Sequence, residues 1–357
     1  MTEISKEEID EILERYDKKR ITIATICSHT ALQIFFGAKQ EGFKTLGICR
    51  PEMKRVYESF PLAKPDKFLL VDDYDEILSS SIHAKLIEDN VIIVPHGSFV
   101  EYIGSKNICN NLLLPIFGNR LVFEWESDRK KERNWLLSAG LRMPLEFKNP
   151  SDIDRLVIVK FHGAKGGKNY FLAKNEEEFH QGMEKVGANG KEYTIQEYVV
   201  GANLYFHYFN SVIENRIELL GMDKRYESNI EGIVRIPHLI NKIKKDPSFV
   251  VVGNTPVIVR ESLLQKILKI GEDVVKSSRD MFPKGLIGPF CIETVCTEDL
   301  EFVVFEISAR IVAGTNLYMF GSPYSQLLYK EPMSTGRRIS REIKTAIERG
   351  LLSSVVY

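Results

Sequence analysis

Residues Gly288 to Arg310 limit the possible fold more than any other part of the chain. Two runs rich in Val, Ile and Phe flank the polar Thr297-Glu298-Asp299, the pattern of a β-hairpin. With the hairpin centred between Asp299 and Leu300, Glu293 stands directly opposite Glu306. Directly opposed side chains share a face, with Cβ atoms roughly 5 Å apart. Two carboxylates that close repel each other unless a cation or a proton lies between them. Paired oxygen ligands suit Mg²⁺ or Mn²⁺, and Mg²⁺ usually takes one or two carboxylates together with substrate phosphates. Alternation along the second strand adds Ser308 and Arg310 to the face of Glu306. A face with two acids, a hydroxyl and a guanidinium fits a metal-bound polyphosphate.

A second candidate phosphate element lies upstream. Val157-Ile-Val-Lys160 reads as a short strand ending in a lysine. The segment that follows carries Gly163, Gly166 and Gly167 among Lys165 and Lys168. Glycines let the backbone turn its N–H groups toward an anion. The spacing is not that of a Walker A motif, and Phe171-Leu-Ala173 continues as strand, so the expectation is a glycine hairpin folding over phosphates. Tyr193-Thr-Ile-Gln-Glu-Tyr-Val-Val-Gly201 then reads as a strand whose backbone, from Gln196 through Glu197 and Tyr198 to Val199, can hydrogen-bond a purine ring.

The rest of the chain has the character of an ordinary enzyme. Its 357 residues can bury a large core in two or three domains, with 44% hydrophobic and 27% charged residues. The net charge of −1 gives no bulk cationic field for nucleic acid, so anion binding has to come from local clusters. Cys27, Cys49, Cys109, Cys291 and Cys296 are odd in number and scattered, and read as reduced thiols in a reducing compartment. The first residues carry no apolar signal core and no run reaches membrane-spanning length, which points to the cytoplasm.

Periodicity predicts a capped helix over Ser5–Lys18, then alternating strands (Ile21–Ile26, Thr45–Cys49, Phe68–Val71, Val91–Val94) and helices (Ala31–Glu41, Asp75–Asp89). That is a small parallel α/β domain ending near Leu114. One charged helix is expected over Leu121–Ala139, and mostly strand after Pro144, with helices at Glu176–Val186, Ser262–Phe282 and Arg338–Arg349. Ligands of open α/β sheets bind at strand C-terminal ends. Two such ends carry usable groups: Ser28-His29-Thr30, which opens a helix whose amides can hold a phosphate, and His96-Gly97-Ser98. No G-x-G-x-x-G turn supports a dinucleotide dehydrogenase, and no G-x-S-x-G elbow supports a nucleophilic hydrolase.

The order of lysine strand, glycine loop, hinge strand and Glu…Glu-x-Ser-x-Arg hairpin resembles the ATP-grasp superfamily. Within it, Val94–Phe99, Pro115–Arg120, Glu197–Asn203, Arg225–Ser228, Gly288–Cys291 and Phe305–Arg310 resemble the formate-dependent FAICAR synthetases of archaeal purine synthesis, from about Ile21 to Ile347. The resemblance implies an N-terminal α/β substrate domain of the pre-ATP-grasp kind over residues 1–114, followed by an α+β ATP-grasp domain over 115–357 with a lid at about 121–205. It implies a C–N ligase: ATP phosphorylates formate, and the amine of AICAR (5-aminoimidazole-4-carboxamide ribonucleotide) attacks the formyl phosphate. It further implies that His29, Ser98 and Asn254 contact AICAR and that Glu227 lies near ATP. In the same scheme Lys160 and the glycine loop cover the phosphates, Glu293 and Glu306 hold the metal, and Arg310 stabilises transferred charge. Relatives form trimers or hexamers. Ser308 stands where many ATP-grasp enzymes have Asn, and Asn203 where many have an acid. Such features also fit a ligase for another carboxylate and amine, or an ATP-binding regulatory paralogue.

Overall fold

The computed structural model describes residues 3–161, 170–187, 192–234 and 249–357. Four strands, β1 (Thr22–Ile26), β2 (Lys44–Cys49), β3 (Lys67–Leu70) and β4 (Val91–Ile93), pair in parallel in the order β3-β2-β1-β4. β1 and β4 are buried along their whole length, as strands covered on both faces must be. Four helices accompany this sheet: α1 (Lys6–Glu14), α2 (Ala31–Gln40), α3 (Pro51–Glu58) and α4 (Ser80–Glu88). The Ser5–Glu8 capping box starts α1, and Pro51 at the first turn starts α3.

Next come α5 (Ser105–Asn110), α6 (Val122–Ser127) and α7 (Arg129–Ser138). A small antiparallel sheet follows, made of β5 (Glu146–Phe147), β6 (Val157–Phe161), β7 (Tyr170–Ala173) and β8 (Tyr193–Glu197) in the order β5-β8-β6-β7, with α8 (Glu176–Val186). Val157, Val159, Phe161, Phe179 and Ile195 give it a core of its own. The largest sheet is antiparallel, in the order β11-β10-β9-β12-β13, from β9 (Ala202–Ser211), β10 (Arg216–Asn229), β11 (Phe249–Pro256), β12 (Gly288–Cys296) and β13 (Phe302–Ser308). One of its faces puts Phe206, Tyr208, Phe290, Ile292 and Val304 into a core shared with Trp135 of α7 and Val274 of α10 (Leu264–Met281). The same core reaches Ala24 and Ile48 of the parallel sheet, so the two large sheets are joined by continuous apolar packing. The opposite face carries polar side chains at one end and, at the other, Phe209, which is buried with Ile339 and Ile343.

The chain closes on itself through α12 (Thr335–Glu348), which crosses α2. Two glycines make that crossing possible. A Cβ on Gly37 would lie 2.2 Å from the Arg337 amide nitrogen, and one on Gly336 would lie 2.4 Å from the Gln33 carbonyl oxygen. Beside them Glu41, at the end of α2, accepts from Arg337 at 2.6 Å and from Arg341 at 2.7 Å.

The expected helix over Leu121–Ala139 is instead two helices. At Asp128 the backbone turns extended (φ −102°, ψ 108°), and its carboxylate caps α7 by accepting from the Lys130 and Lys131 amides at 2.9 and 3.0 Å. The expected helix over Asp75–Asp89 is likewise a 3₁₀ turn (Tyr74–Leu78) and then α4, separated by extended Ser79. α3 and α5 were not expected from the periodicity. Gly163, Gly166 and Gly167 lie outside the described residues, as does the lysine-rich Asn241–Asp246.

Candidate active site

The polar face of the five-stranded sheet is a grid set by strand register. One row runs Asp223–Tyr205–Glu293–Glu306 across β10, β9, β12 and β13, and the next runs His207–Cys291–Ser308. Glu293 and Glu306 are directly paired as expected, although a bulge at Phe305 shifts every pair on the turn side by one. The environments of the two acids differ: Glu293 is buried and Glu306 is exposed. Burial pushes the Glu293 carboxyl up to about 8; Arg225 pulls it back and Glu306 adds to it. Arg225 pairs with Glu293 Oε1 and lies 4.2 Å over the Tyr205 ring, whereas Glu293 Oε2 is buried with no hydrogen-bond partner among the described residues. An orphaned carboxylate oxygen facing a second acid fits a divalent cation. Among the described residues, no group of three or more His, Cys, Asp or Glu is placed to hold a metal alone.

Two more acids reach the same region from behind β13. Glu132 of α7 accepts from the Ile307 amide at 2.8 Å. Glu126 of α6 accepts from the Ala309 amide at 3.0 Å and pairs with Arg310 at 2.9 Å. Burial pushes both carboxyls up, strongly for Glu132, and Glu306 reinforces this. Nothing in the sequence flagged them, because their placement depends on the break at Asp128.

Lys160, near the end of β6, donates to Gln196 at 2.9 Å; burial lowers its pKa, and Glu306 is the acid that opposes this most. Gln196 and Glu197 close β8, an interior strand paired with β5 on one side and β6 on the other, and Tyr198 and Val199 follow it. The Glu197 and Tyr198 amides are already bonded to the carbonyls of Leu145 (2.8 Å) and Leu156 (2.9 Å), so they do not serve a purine. The Val199 amide has no such partner among the described residues. The Glu197 side chain accepts from the Leu145 amide at 3.1 Å, which makes it a brace of the strand. Glu227 lies on β10 beyond Arg225, its pKa raised by burial against the pull of Arg225.

The parallel sheet delivers its groups to the same place. His29 adopts a left-handed backbone (φ 51°), uncommon for a non-glycine residue, and its carbonyl accepts from Asn316 Nδ2 at 3.2 Å. His29 stacks on His96 with centroids 5.3 Å apart. The Ser98 amide donates to His96 Nδ1 at 3.2 Å, so the proton sits on Nε2, which donates to the Ile26 carbonyl at 2.9 Å. Ser98 donates to Ser28 at 2.9 Å. A Cβ on Gly97 would lie 3.0 Å from His29 Nε2 and 3.3 Å from Arg310 Nη1, so this glycine lets imidazole and guanidinium converge. The surrounding protein favours the neutral form of both histidines: burial lowers His96 to about 4, and burial, His96 and the Arg310 and Arg225 charges hold His29 well below its usual value. His29 nevertheless keeps an exposed edge toward the cleft. Asn254 is half-buried on β11, opposite Arg225, and donates to Asp223 at 2.7 Å.

Comparison with known proteins shows the family of the chain. A family model described as "Domain of unknown function (DUF1297)" matches residues 171–357, and one described as "Protein of unknown function (DUF1246)" matches residues 23–147. The chain is 53% identical to the 5-formaminoimidazole-4-carboxamide-1-(beta)-D-ribofuranosyl 5'-monophosphate synthetase of Methanothrix thermoacetophila, covering 99% of each chain. It is 47% identical to the synthetase of that name from Methanocaldococcus jannaschii, again over 99% of each chain. The chain belongs to this FAICAR synthetase family. Among solved structures, an IMP biosynthesis protein PurP from Thermococcus kodakaraensis matches with a TM-score of 0.75 and 31% identity, over 94% of this chain and 100% of that one. The ADP complex of an N5-carboxyaminoimidazole ribonucleotide synthetase matches at TM-score 0.64 and 12% identity, over 90% and 76%, which shows the shared ATP-grasp fold. The family assignment is thus the one that the motifs of the hairpin and hinge implied. Sequence reasoning missed Arg225 as the partner of Glu293, His96 as the link between strand ends, and the Asp223–His207 pair. Alternation along β10 carried a signal for Asp223 and Arg225, since both fall on the face of Glu293.

Proposed function

We propose that the protein is an ATP-dependent C–N ligase that formylates AICAR to FAICAR, with formate as the carbon source. Full-length identity of 47–53% to synthetases of that product carries the reading. A formate oxygen attacks the terminal phosphorus of ATP and ADP leaves. The AICAR amine then attacks the formyl carbon, phosphate departs with the C–O bonding pair, and the amine loses a proton. Glu293 and Glu306 would hold Mg²⁺ or Mn²⁺, which when bound neutralises phosphate charge. With only two carboxylates, the site needs nucleotide phosphates to complete a hard octahedral shell. Lys160 and the loop of Gly163, Gly166 and Gly167 cover the phosphates. Val199 offers its amide to adenine, flanked by Gln196, Glu197 and Tyr198, and Glu227 lies near ATP. Arg310, held by Glu126, stabilises the oxyanion that develops at the acyl group. His29, Ser98 and Asn254 bind AICAR, with the His29 and Thr30 amides available for its phosphate; among the described residues neither amide has a backbone acceptor.

In the same reading, residues 1–114 form the substrate unit, residues 115–357 the ATP-grasp unit with its small-sheet lid, and the protein works in the cytoplasm as a homo-oligomer. No helix among the described residues is long and apolar enough to cross a membrane. The test is phosphate release from ATP. It should require formate and AICAR together and yield a product heavier than AICAR by one formyl group in place of hydrogen. Release with formate and a different amine would reassign the second substrate, and no formate-dependent release would leave a nucleotide-binding regulator.

A further inference from the structure

Asp223 and His207 form a buried polar pair to which the proposed chemistry gives no task. The Asp223 carboxylate accepts from Asn254 Nδ2 at 2.7 Å through one oxygen and faces His207 Nε2 at 2.7 Å through the other. Both Asp223 and His207 are almost fully buried, and His207 Nδ1 has no partner among the described residues. The turn Ala313–Tyr318 closes over the pair. A Cβ on Gly314 would lie 2.2 Å from Asp223 Oδ1 and 2.9 Å from His207 Nε2, so only glycine lets the backbone come this near. That turn also supplies Asn316 to the His29 carbonyl and the Thr315 carbonyl to Gln33 of α2. It therefore joins the two halves of the cleft in which AICAR is placed.

The orientation of the Asn254 amide follows from this cluster. An amide presents a donor end and an acceptor end, and ordinary electron density does not distinguish them; the partners decide. A carboxylate only accepts, so the –NH₂ of Asn254 must face Asp223, and its carbonyl oxygen is the end left for the cleft. We infer that Asp223 is a positioning and specificity-determining residue: it locks Asn254 with its oxygen outward, selecting an aminoimidazole ribonucleotide that offers N–H donors, a carboxamide, over the analogue with a 4-carboxylate. A carboxylate set against that oxygen leaves two acceptors facing each other, and sites built around a hydrogen bond reject a partner that cannot make it. The inference rests on the placement of AICAR at Asn254 in the proposed function.

The test is calorimetric binding of AICAR and of its 4-carboxylate analogue to the wild type, D223L, N254A and D223L/N254A, with an ATP analogue as control. D223L keeps the branched shape but offers no acceptor, so nothing fixes the –NH₂ of Asn254. AICAR affinity should fall about tenfold or more in D223L, and the preference for carboxamide over carboxylate should drop from about 100-fold to below tenfold, with ATP-analogue affinity within about twofold. The double variant should bind AICAR no more weakly than N254A alone, because Asp223 acts through Asn254. If D223L does not fold, D223A carries the same comparison. Failure of the wild type to bind AICAR would defeat the proposed function itself. Normal AICAR binding in the wild type with unchanged preference in D223L, or additive losses in the double variant, would overturn the role of Asp223.

Discussion

Glu293 and Glu306 share one rung of the ladder but differ in what their removal does. Glu306 is exposed and no hydrogen bond or ion pair among the described residues holds its side chain, so E306Q should leave thermal stability nearly unchanged while lowering ATP turnover by at least about 100-fold. A differential scan paired with a phosphate-release assay separates the two effects. A loss of several degrees in Tm would mean that Glu306 has a structural task. His96 permits a pH prediction. Its folded-state value of about 4 lies below the usual 6.5, so between these limits the unfolded chain binds more protons than the folded one. The stability tied to its neutral form is complete above about pH 6.5 and is lost as pH falls toward 4, on the order of 3 kcal/mol for this buried ring. H96Q should flatten the Tm-against-pH curve over that window, and a slope identical to wild type would rule the assignment out.

At the scale of elements, the break between α6 and α7 matters to the site. Asp128 caps α7, and α7 carries Glu132 to the Ile307 amide and Trp135 to the Val274 carbonyl. D128A should cost about 1 kcal/mol, the usual value of an N-cap, visible as a lowered denaturation midpoint with unchanged m. A larger effect on activity than on stability would show that the position of α7 governs the acids behind β13. Here the limits of sequence reading are physical. Val122 to Ser138 has helical composition throughout, and only the competition of the Asp128 side chain for the next amides ends one helix and begins another. The hairpin shows the reverse case. A symmetric turn placed Glu293 against Glu306, and it did so because the bulge at Phe305 offsets a shifted turn; the Thr294–Val304 and Cys296–Phe302 pairs fall one residue away from that symmetry. Strand alternation put Glu293 and Glu306 on one face, where the structure has them. The Arg225–Glu293 pair and the Asp223 cluster join residues far apart in the chain, and no local pattern announces such contacts.

Across the whole molecule, the crossing of α2 and α12 ties the parallel sheet to the five-stranded sheet, where Glu342 and Arg338 of α12 meet Ser211 and Glu218. Because a Cβ on Gly37 would meet backbone rather than a movable side chain, G37A should destabilise by about 1–3 kcal/mol or more, measured by denaturant unfolding, although it lies outside the polar site. Tolerance of alanine there would mean that the helices separate at little cost.

That crossing also bears on how the protein is made. Gln33 and Gly336, which touch at its centre, are 303 positions apart. At roughly 5–20 residues per second, a ribosome that has finished α2 needs about 15–60 s more before α12 is synthesised. Throughout that interval the α2 surface around Gln33, Ile34 and Gly37 waits without its cover in the nascent chain. Cells making this protein must shield an incomplete N-terminal layer until the last helix emerges, and slow translation late in the message lengthens the time at risk.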